Sequence, residues 1–254
     1  MTERFNASEL LAVIAARQLR DDTTVFAGVG VPLLAAALAK QRHAPRLTMV
    51  IEGGIIGPQI APGRLPVSTN EMRAAHRATM LPGITDAFLF AQRGFVDVGF
   101  MGGAQIDRFG NLNSSFIGDA ANPSIRLPGT GGGNDISSLT QMIVAMKHEK
   151  RRFVEAVDFI TSPGWIEGRA SRAKRGLIAG GMWRVVTDLA VMGFDEETRE
   201  MKVLALHPGV SAEEVQANTG FALAIDPKVA RTPAPLQSEL DVLRELDPER
   251  LYTA

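Results

Sequence analysis

Hydrophobic positions along this chain fall into short runs that alternate with longer helical stretches. The short runs are rich in β-branched and aromatic residues and predict buried strands, at Thr23–Ala27, Leu47–Ile51, Val96–Met101 and Ile143–Met146. The longer stretches predict helices, at Leu33–Gln41 and Thr85–Gln92. This alternation predicts an α/β fold with an open, mostly parallel sheet that is flanked by helices.

Later in the chain the runs are separated only by polar turns, which favours antiparallel pairing at one side of the sheet. These runs are Arg184–Thr187, Ala190–Phe194 and Met201–Leu206. Ser211, followed three residues later by Glu214, forms a capping-box pattern that predicts a helix ending near Asn218.

Amphipathic helices are predicted at both ends of the chain. Ser8 is the predicted cap of the first helix, whose apolar face we expect to pack on the sheet. The last helix carries its apolar residues on one face as well. The two faces consist of Leu10, Leu11, Ile14 and Leu19 in the first helix and of Leu236, Leu240, Leu243 and Leu246 in the last.

A lone carboxylate, Glu52, follows the second predicted strand and is itself followed by Gly53 and Gly54. The two glycines allow a sharp turn where the strand stops. Ligands of open α/β folds bind at the carboxyl ends of the strands, so this position makes Glu52 a candidate functional carboxylate. The local pattern alone favours a solvated glutamate at the start of a loop.

Glycines are concentrated in Leu127–Asn134, where Gly129 and Gly131–Gly133 precede a predicted helix with Asp135 as its cap. Each glycine raises the entropy lost on folding, so such a run favours a site where a ligand meets backbone N–H groups. The alternative is a flexible surface loop.

Polar candidates elsewhere have weaker patterns. Gln105, Asn111 and Asn113 lie in a segment that predicts a hairpin, where they are either turn residues or amide donors of a site. The charged run Lys147–Arg152, and the basic residues Arg169, Arg172, Lys174 and Arg175, favour solvated faces over phosphate contacts. No histidine or carboxylate has the spacing of metal ligands.

Composition limits the class of protein. The 254 residues are consistent with a single domain over 1–254. With 27 Lys and Arg against 28 Asp and Glu, there is no charge surplus that would attract nucleic acid or an anionic membrane. The chain has no cysteine, its first residues are too polar for a signal peptide, and no apolar run is long enough to span a bilayer. We therefore expect a cytoplasmic protein.

Six segments in order resemble the β-subunit of a class I (family I) coenzyme A transferase, most closely the glutaconate CoA-transferase type. The resemblance runs from about Thr23 to the last helix. Its segments are VFAGVGVPLLAAALAKQRHAP, VIEGG, FMGGAQIDRFGNLNSS, GTGGGN, HEKRRFVEAVDFITSPGW and LHPGVSAEEVQANTGF.

The resemblance implies an enzyme that moves CoA between an acyl-CoA and a free carboxylic acid through a glutamyl-CoA thioester. Glu52 matches the catalytic glutamate, and Gly53 and Gly54, which follow it, are candidates for binding the oxyanion or the substrate. Gly131, Gly132 and Gly133 match the backbone amides that bind an oxyanion, and Gln105 is a candidate for orienting Glu52 or a substrate. CoA is then a substrate, and no tightly bound cofactor or metal is expected.

The resemblance also implies a companion α-subunit, with αβ pairs assembled into a larger hetero-oligomer. Ile51 and Gly53 stand where relatives often have small polar residues, so the hydrogen bonds around Glu52 are expected to differ. A hydrolase of acyl-CoA thioesters, including a ring-opening one, is the alternative on the same fold. Ring-opening relatives lose the glutamate and a related decarboxylase carries cysteine there, whereas this chain keeps Glu52. A ligand-sensing module is a more distant alternative.

Overall fold

Strands and helices alternate along most of the chain, as the hydrophobic pattern predicts. The structure is a computed structural model that describes residues 5–168, 170–177 and 179–254. Its helices are α1 (Ala7–Ala16), α2 (Val31–Arg42), α3 (Ile84–Gln92), α4 (Gly133–Leu139), α5 (Ser171–Lys174), α6 (Ala212–Ala217) and α7 (Gln237–Leu246). Its strands are β1 (Thr24–Ala27), β2 (Thr48–Ile51), β3 (Ile55–Ile56), β4 (Val98–Met101), β5 (Gln105–Ile106), β6 (Leu112–Asn113), β7 (Phe116–Gly118), β8 (Pro123–Arg126), β9 (Gln141–Ala145), β10 (Gly181–Val186), β11 (Ala190–Phe194), β12 (Met201–Leu206) and β13 (Ala230–Arg231).

The chain divides into two compact units. The first comprises the residues up to Gly102 together with Ala234–Ala254, and the second comprises Gly103–Pro233. Both contain an open sheet with helices, so the predicted α/β class is confirmed. The single domain over 1–254 stays a prediction.

The sheet of the first unit has the order β4-β1-β2-β3. Strand β1 pairs in parallel with both β2 and β4, and β3 is antiparallel to β2. The predicted strands therefore form, with ends that differ by a few residues from the prediction. Because β1 and β2 are almost wholly buried, they form the centre of this unit.

Alternate residues of β2 face two different helices. Met49 lines a cleft with Ala37 of α2, whereas Thr48 and Val50 line another cleft with Phe90 of α3. Successive strand residues point to opposite faces, so α2 and α3 lie on opposite sides of this sheet. Helix α2 is buried from Pro32 to Ala39, as its apolar sequence predicts.

Three predictions for the terminal helices are wrong. Asn6, not Ser8, caps α1: its side chain accepts from the Glu9 N–H at 2.8 Å, and Glu9 accepts from the Asn6 N–H at 2.9 Å. Helix α1 packs mainly against α2 and α7, not on the sheet as predicted. Leu236 lies at the N-cap of α7 and is 59% exposed, so it does not join the apolar face of that helix.

Helices α1 and α7 are joined by two ion pairs. Arg244 Nε donates to Glu9 Oε1 at 2.7 Å, and Arg17 Nη2 donates to Glu239 Oε2 at 2.6 Å. The hydrogen bond from Arg244 is the main reason why the pKa of Glu9 lies below its ordinary value. These pairs connect the two ends of the chain within the first unit.

The sheet of the second unit has the order β13-β12-β11-β10-β9. Strand β9 pairs in parallel with β10, and β11 is antiparallel to both β10 and β12. This confirms the antiparallel pairing that the short polar turns predict. Ser211 accepts from the Glu214 N–H at 3.1 Å and caps α6, also as predicted.

Two small hairpins follow β4 in the chain. Strands β5 and β6 are antiparallel, and so are β7 and β8. The first hairpin confirms the excursion predicted from the polar and apolar alternation of residues 104–115. Every described helix is too short or too polar to cross a bilayer.

A pair of histidines lies inside the second unit. The two ring nitrogens of His148 lie 3.1 Å from Thr187 Oγ1 and 3.0 Å from Thr219 Oγ1. His207 donates from Nε2 to the Thr187 carbonyl at 2.8 Å, and its Nδ1 lies 2.9 Å from Thr232 Oγ1. Burial, with a smaller contribution from His207, lowers the pKa of His148 to about 4, and burial also lowers the pKa of His207.

We expect the second unit to lose stability in mild acid. In the unfolded chain His148 has a pKa near 6.5, whereas in the folded protein its pKa is about 4. Between these two pH values only the unfolded state binds the proton. The stabilisation is therefore complete above pH 6.5 and is lost as the pH falls. His148 alone should lower the free energy of unfolding by about 2 kcal/mol between about pH 7.5 and about pH 5. Urea unfolding at several pH values measures this, and His148→Gln should flatten the dependence. His76→Gln, at an exposed position, should keep the wild-type slope; equal slopes in all three proteins would contradict the assignment.

Candidate active site

The carboxyl ends of three neighbouring parallel strands lie at one edge of the first unit's sheet. Strands β1, β2 and β4 end at Ala27, Ile51 and Met101. Each is followed by glycine-containing sequence: Gly28–Gly30, Glu52–Gly54 and Gly102. Because ligands of open α/β sheets bind at this edge, it is the first place to look for a site.

Glu52, Gly53 and Gly54 form the turn that joins β2 to β3. The Gly54 N–H donates to the Ile51 carbonyl at 3.0 Å, and Gly54 has a φ of 86°, which favours glycine. Glu52 is half-buried and follows directly from the buried end of β2. The predicted position of the carboxylate at the end of the strand is therefore confirmed.

Two other segments of backbone pack against this turn. A Cβ atom on Gly53 would lie 2.4 Å from the Thr69 carbonyl oxygen, and one on Gly54 would lie 2.1 Å from the carbonyl carbon of Gly83. Only glycine fits at either position without displacing a backbone. The sequence predicted the turn, but this close approach became visible only in the structure.

The neighbouring turn, Gly28–Gly30, holds β1 against β4. The Gly28 N–H donates to the Phe100 carbonyl at 2.9 Å, and a Cβ on Gly28 would lie 3.3 Å from that oxygen. Pro32 lies in the first turn of α2, where its missing N–H is not needed. This geometry favours close packing as the purpose of these glycines.

The glycine turn, Gly129–Gly133, belongs to the second unit. The Gly129 N–H donates to the Ser114 carbonyl at 2.8 Å, and the Gly133 N–H donates to the Thr130 carbonyl at 3.0 Å. Gly129 and Gly131 have φ angles of 86° and 55°. The turn is thus an ordered structure that is anchored to the segment after β6, and it leads directly into α4.

The predicted cap of α4 is wrong. Gly132 occupies the N-cap, and Asp135 lies inside the first turn of the helix. Its carboxylate is still well placed there, because a negative charge is favourable near a helix N-terminus.

Arg172 is buried and holds the C-terminal end of α4. The sequence did not indicate this structural role. Arg172 donates to the carbonyls of Ser137 and Ser138, both at 3.3 Å, and these belong to the last turn of the helix. It also donates to the carbonyls of Gly164 at 2.7 Å and Ala179 at 2.6 Å. Burial lowers the pKa of its guanidinium.

The prediction of a solvated basic stretch is therefore wrong for Arg172 and holds for Lys174 and Arg175, which are exposed. Arg169 lies outside the described residues. In the other charged run, Arg151 and Arg152 donate to Glu149 at 2.7 Å and 3.0 Å, so these charges pair locally. The exception there is His148, which is buried.

The three amide candidates are buried in the hairpin. Asn113 Nδ2 donates to Gln105 Oε1 at 2.7 Å and to the Phe116 carbonyl at 2.6 Å. Gln105 Nε2 donates to Asp158 at 3.0 Å, and Asn111 pairs with Asp107 at 2.9 Å. These bonds brace the hairpin, as the interpretation from turn chemistry predicts.

Thr161 connects this network to the glycine turn. Its hydroxyl accepts from the Ser114 N–H at 2.9 Å, and its carbonyl accepts from Asn134 at 3.0 Å. Gln105 and Gly131–Gly133 therefore share one hydrogen-bonded framework in the second unit. Glu52, Gly53 and Gly54 share one turn in the first. The roles of all these residues in a reaction stay predictions.

The described residues contain no group of three or more histidines and carboxylates that is arranged to hold a metal ion.

A family model described as Coenzyme A transferase matches residues 9–218. The chain belongs to the coenzyme A transferase family.

Relatives in this family match nearly the whole chain. The chain is 38% identical to the B-type subunit of the 3-oxoadipate CoA-transferase of Pseudomonas knackmussii, over 96% of this chain and 94% of that protein. It is 36% identical to the B-type subunit of the glutaconate CoA-transferase of Acidaminococcus fermentans, over 98% and 95%. The crystal structure of glutaconate coenzyme A-transferase from the same organism matches with a TM-score of 0.92 at 35% identity, covering 99% of this chain and 98% of that chain. The resemblance drawn from the six segments is confirmed.

We expect Gly54→Ala to disrupt the Glu52 turn. The new methyl group would collide with the Gly83 backbone, so the free energy of unfolding should fall by more than about 3 kcal/mol. Gly94→Ala is a matched control, because Gly94 has a similar φ of 80° but no atom within 4 Å of its Cβ position. That change should cost about 1 kcal/mol of backbone strain. Urea unfolding of both variants tests this, and equal losses would show that the contact with Gly83 is unimportant.

Proposed function

We propose that this chain is the B-type subunit of a two-subunit CoA-transferase in which Glu52 carries the acyl and CoA groups in turn. The observation that carries the proposal is the half-buried carboxylate in a turn fixed by two backbone contacts, at the carboxyl edge of parallel strands, in a chain of this family. A nucleophile needs such a fixed position, because orientation lowers the barrier to attack.

The proposed chemistry needs no metal and no redox group. Glutamate is ionised at neutral pH, so Glu52 can attack the carbonyl carbon of an acyl-CoA without a general base. The C–S bond breaks, giving a mixed anhydride and CoA thiolate. The thiolate then attacks the glutamyl carbonyl and releases the first acid as a carboxylate, which leaves a glutamyl-CoA thioester. A second carboxylate reverses these steps and leaves as the new acyl-CoA.

Each attack places negative charge on a carbonyl oxygen. We assign its stabilisation to backbone N–H groups of Gly131–Gly133, in which the Gly133 N–H would have to share its bond to the Thr130 carbonyl. One such donor is worth roughly 3–4 kcal/mol of the barrier. Gln105 is assigned a positioning role, because its amide braces the hairpin to which the glycine turn is anchored.

The substrates follow from the chemistry and from the relatives. CoA is a substrate that enters and leaves as a thioester. Glutaconate and 3-oxoadipate, which name the two relatives, are dicarboxylic acids, so we infer that the acceptor acid here is a dicarboxylate. We also infer a companion subunit, since both relatives are named as one subunit of their enzyme. Location in the cytoplasm and assembly into several αβ pairs stay predictions.

Replacing Glu52 tests the mechanism. Glu52→Gln removes the nucleophile but keeps the size of the side chain, so CoA transfer by the assembled pair should fall by at least about a thousandfold while the unfolding curve stays unchanged. Glu245→Gln, at an exposed position of α7, is the control and should transfer CoA normally. Near-normal turnover by the Glu52 variant would exclude it as the nucleophile.

A trapping experiment separates transfer from hydrolysis. Wild-type pair incubated with acyl-CoA and then treated with hydroxylamine or borohydride should carry its modification on the peptide that contains Glu52. The same mixture with a dicarboxylate should yield new acyl-CoA. Release of free CoA in stoichiometric amounts, with no adduct on any peptide, would favour the hydrolase alternative.

A further inference from the structure

A cleft on the α2 side of the first unit's sheet contains none of the residues assigned to the proposed reaction. Its volume is about 550 Å³, and it is lined by residues between 37 and 49 and between 59 and 77. Successive residues of a strand point to opposite faces, so Met49 here and Val50 on the α3 side mark different faces of β2. We define the α2 cleft by six of its lining residues: Ala37, Lys40, Met49, Gln59, Ile60 and Arg77.

The buried part of the lining is apolar. Ala37, Met49 and Ile60 are only 2%, 1% and 6% exposed. The volume of the cleft lies within the range of about 300–1,000 Å³ that is typical of small-molecule sites, which combine an apolar lining with a few polar groups. An inorganic ion would leave most of this lining without contact, so the α2 cleft fits a ligand with an apolar body.

The charged groups of the lining all have the same sign. Lys40 and Arg77 line the cleft, and no aspartate or glutamate is among its described lining residues. Within the part of the chain that the structure describes, neither cation forms an ion pair. The whole chain carries 28 acidic residues against 27 lysines and arginines, so the positive charge is a property of this place. It favours a ligand that carries a negative charge.

The Lys40 ammonium is held at the cleft by backbone. Its Nζ donates to the Leu47 carbonyl at 2.6 Å and lies 3.3 Å from the Pro45 carbonyl oxygen. An ammonium has three N–H donors, so a third is left for a ligand. Because the loop before β2 supplies both carbonyls, the position of this charge is fixed before any ligand binds, which reduces the entropy lost on binding.

Arg77 has an unusual backbone conformation. Its φ is 50°, in the left-handed region that few residues other than glycine adopt. The preceding carbonyl, of His76, accepts from the Gln59 N–H at 2.9 Å and so anchors this conformation. Arg77 Nη1 lies 3.5 Å from Gln59 Oε1, a long contact that uses one of the five N–H donors of the guanidinium. Residues held in such a conformation cluster at sites that bind ligands.

We propose that the α2 cleft binds a small organic acid whose carboxylate meets Lys40 and Arg77 and whose apolar body packs on Met49 and Ile60. A guanidinium presents parallel N–H donors that match the two oxygens of a carboxylate. A neutral apolar ligand would leave both cations unpaired, and a bare anion would leave the apolar lining without contact. The proposal concerns a second site, and it holds or fails independently of the role of Glu52.

Methyl NMR of the methionines tests the site on the full-length wild-type chain. The probe is 4-phenylbutyrate, which combines a carboxylate with an apolar body. We expect saturable shifts of the Met49 resonance, which Met49→Leu identifies among the 10 methionines. 4-Phenylbutyramide keeps the body without the charge, and inorganic phosphate keeps a charge without the body, so each should bind at least about tenfold more weakly.

Arg77 is the residue to replace, because it is exposed and its side chain is not part of the core. Arg77→Gln should raise the Kd of 4-phenylbutyrate at least about tenfold, with an unchanged urea midpoint of unfolding. Arg77→Lys keeps the charge but not the pair of parallel donors, so its Kd should lie between those two values. The matched control is Arg93→Gln, which is exposed in the same unit but outside the α2 cleft and should bind the probe normally.

Equal affinity of the wild-type chain for the acid and the amide would overturn the proposal, whether or not the Arg77 variants fold. An unchanged Kd in Arg77→Gln, or saturation without any shift of Met49, would overturn it too. Loss of probe binding in Arg77→Gln, together with a wild-type pair that transfers no CoA, would support the α2 cleft and refute the proposed function.

Discussion

Two backbone contacts, at Gly53 and Gly54, are the constraint on which the Glu52 turn depends. Strand β2 supplies a rigid start to the turn because it is buried in the sheet, but the strand alone leaves the direction of the following residues open. The backbones at Thr69 and Gly83 fix the direction of the turn, because they lie where a Cβ atom on Gly53 or Gly54 would be. Glu52 is thereby held between a strand and two packed segments, and such a fixed position is what a carboxylate needs if it acts as a nucleophile.

In the second unit, hydrogen bonds order the glycine turn, Gly129–Gly133. The glycine turn has little intrinsic rigidity, because its glycines have many accessible conformations. Hydrogen bonds to the carbonyls of Ser114 and Thr161 order it at one side, and Arg172 holds the far end of α4. Burying a guanidinium is unfavourable unless its donors are satisfied, and the backbone carbonyls around Arg172 supply the acceptors. The buried guanidinium of Arg172 thus fixes the backbone segments whose carbonyls it binds.

Helix α3 connects the sheet of the first unit to the Glu52 turn. Its buried residues are alanines, which allow a close approach, and the Phe88 ring packs against Phe26 of β1 with the ring centroids 5.5 Å apart. Ile84 and Leu89 are exposed. Because α3 starts at Gly83, the packing of this helix and the geometry of the Glu52 turn cannot change independently.

The sequence by itself determined the alternation of strands and helices, the end of β2 at Glu52, the antiparallel strands after residue 181 and the family. These depend on hydrophobic period and on short ordered motifs, which are local. Tertiary structure decided that Asn6 caps α1, that Arg172 is buried and that Ile84 and Leu89 of α3 are exposed. It also decided that the Glu52 turn meets Gly83, since such outcomes depend on which distant segments pack together. A pattern of residue types shows which face of a helix or strand is buried, but it does not show which other segment packs against that face. The strand before Glu52 was therefore predictable from the sequence, whereas the contacts that fix the Glu52 turn were not.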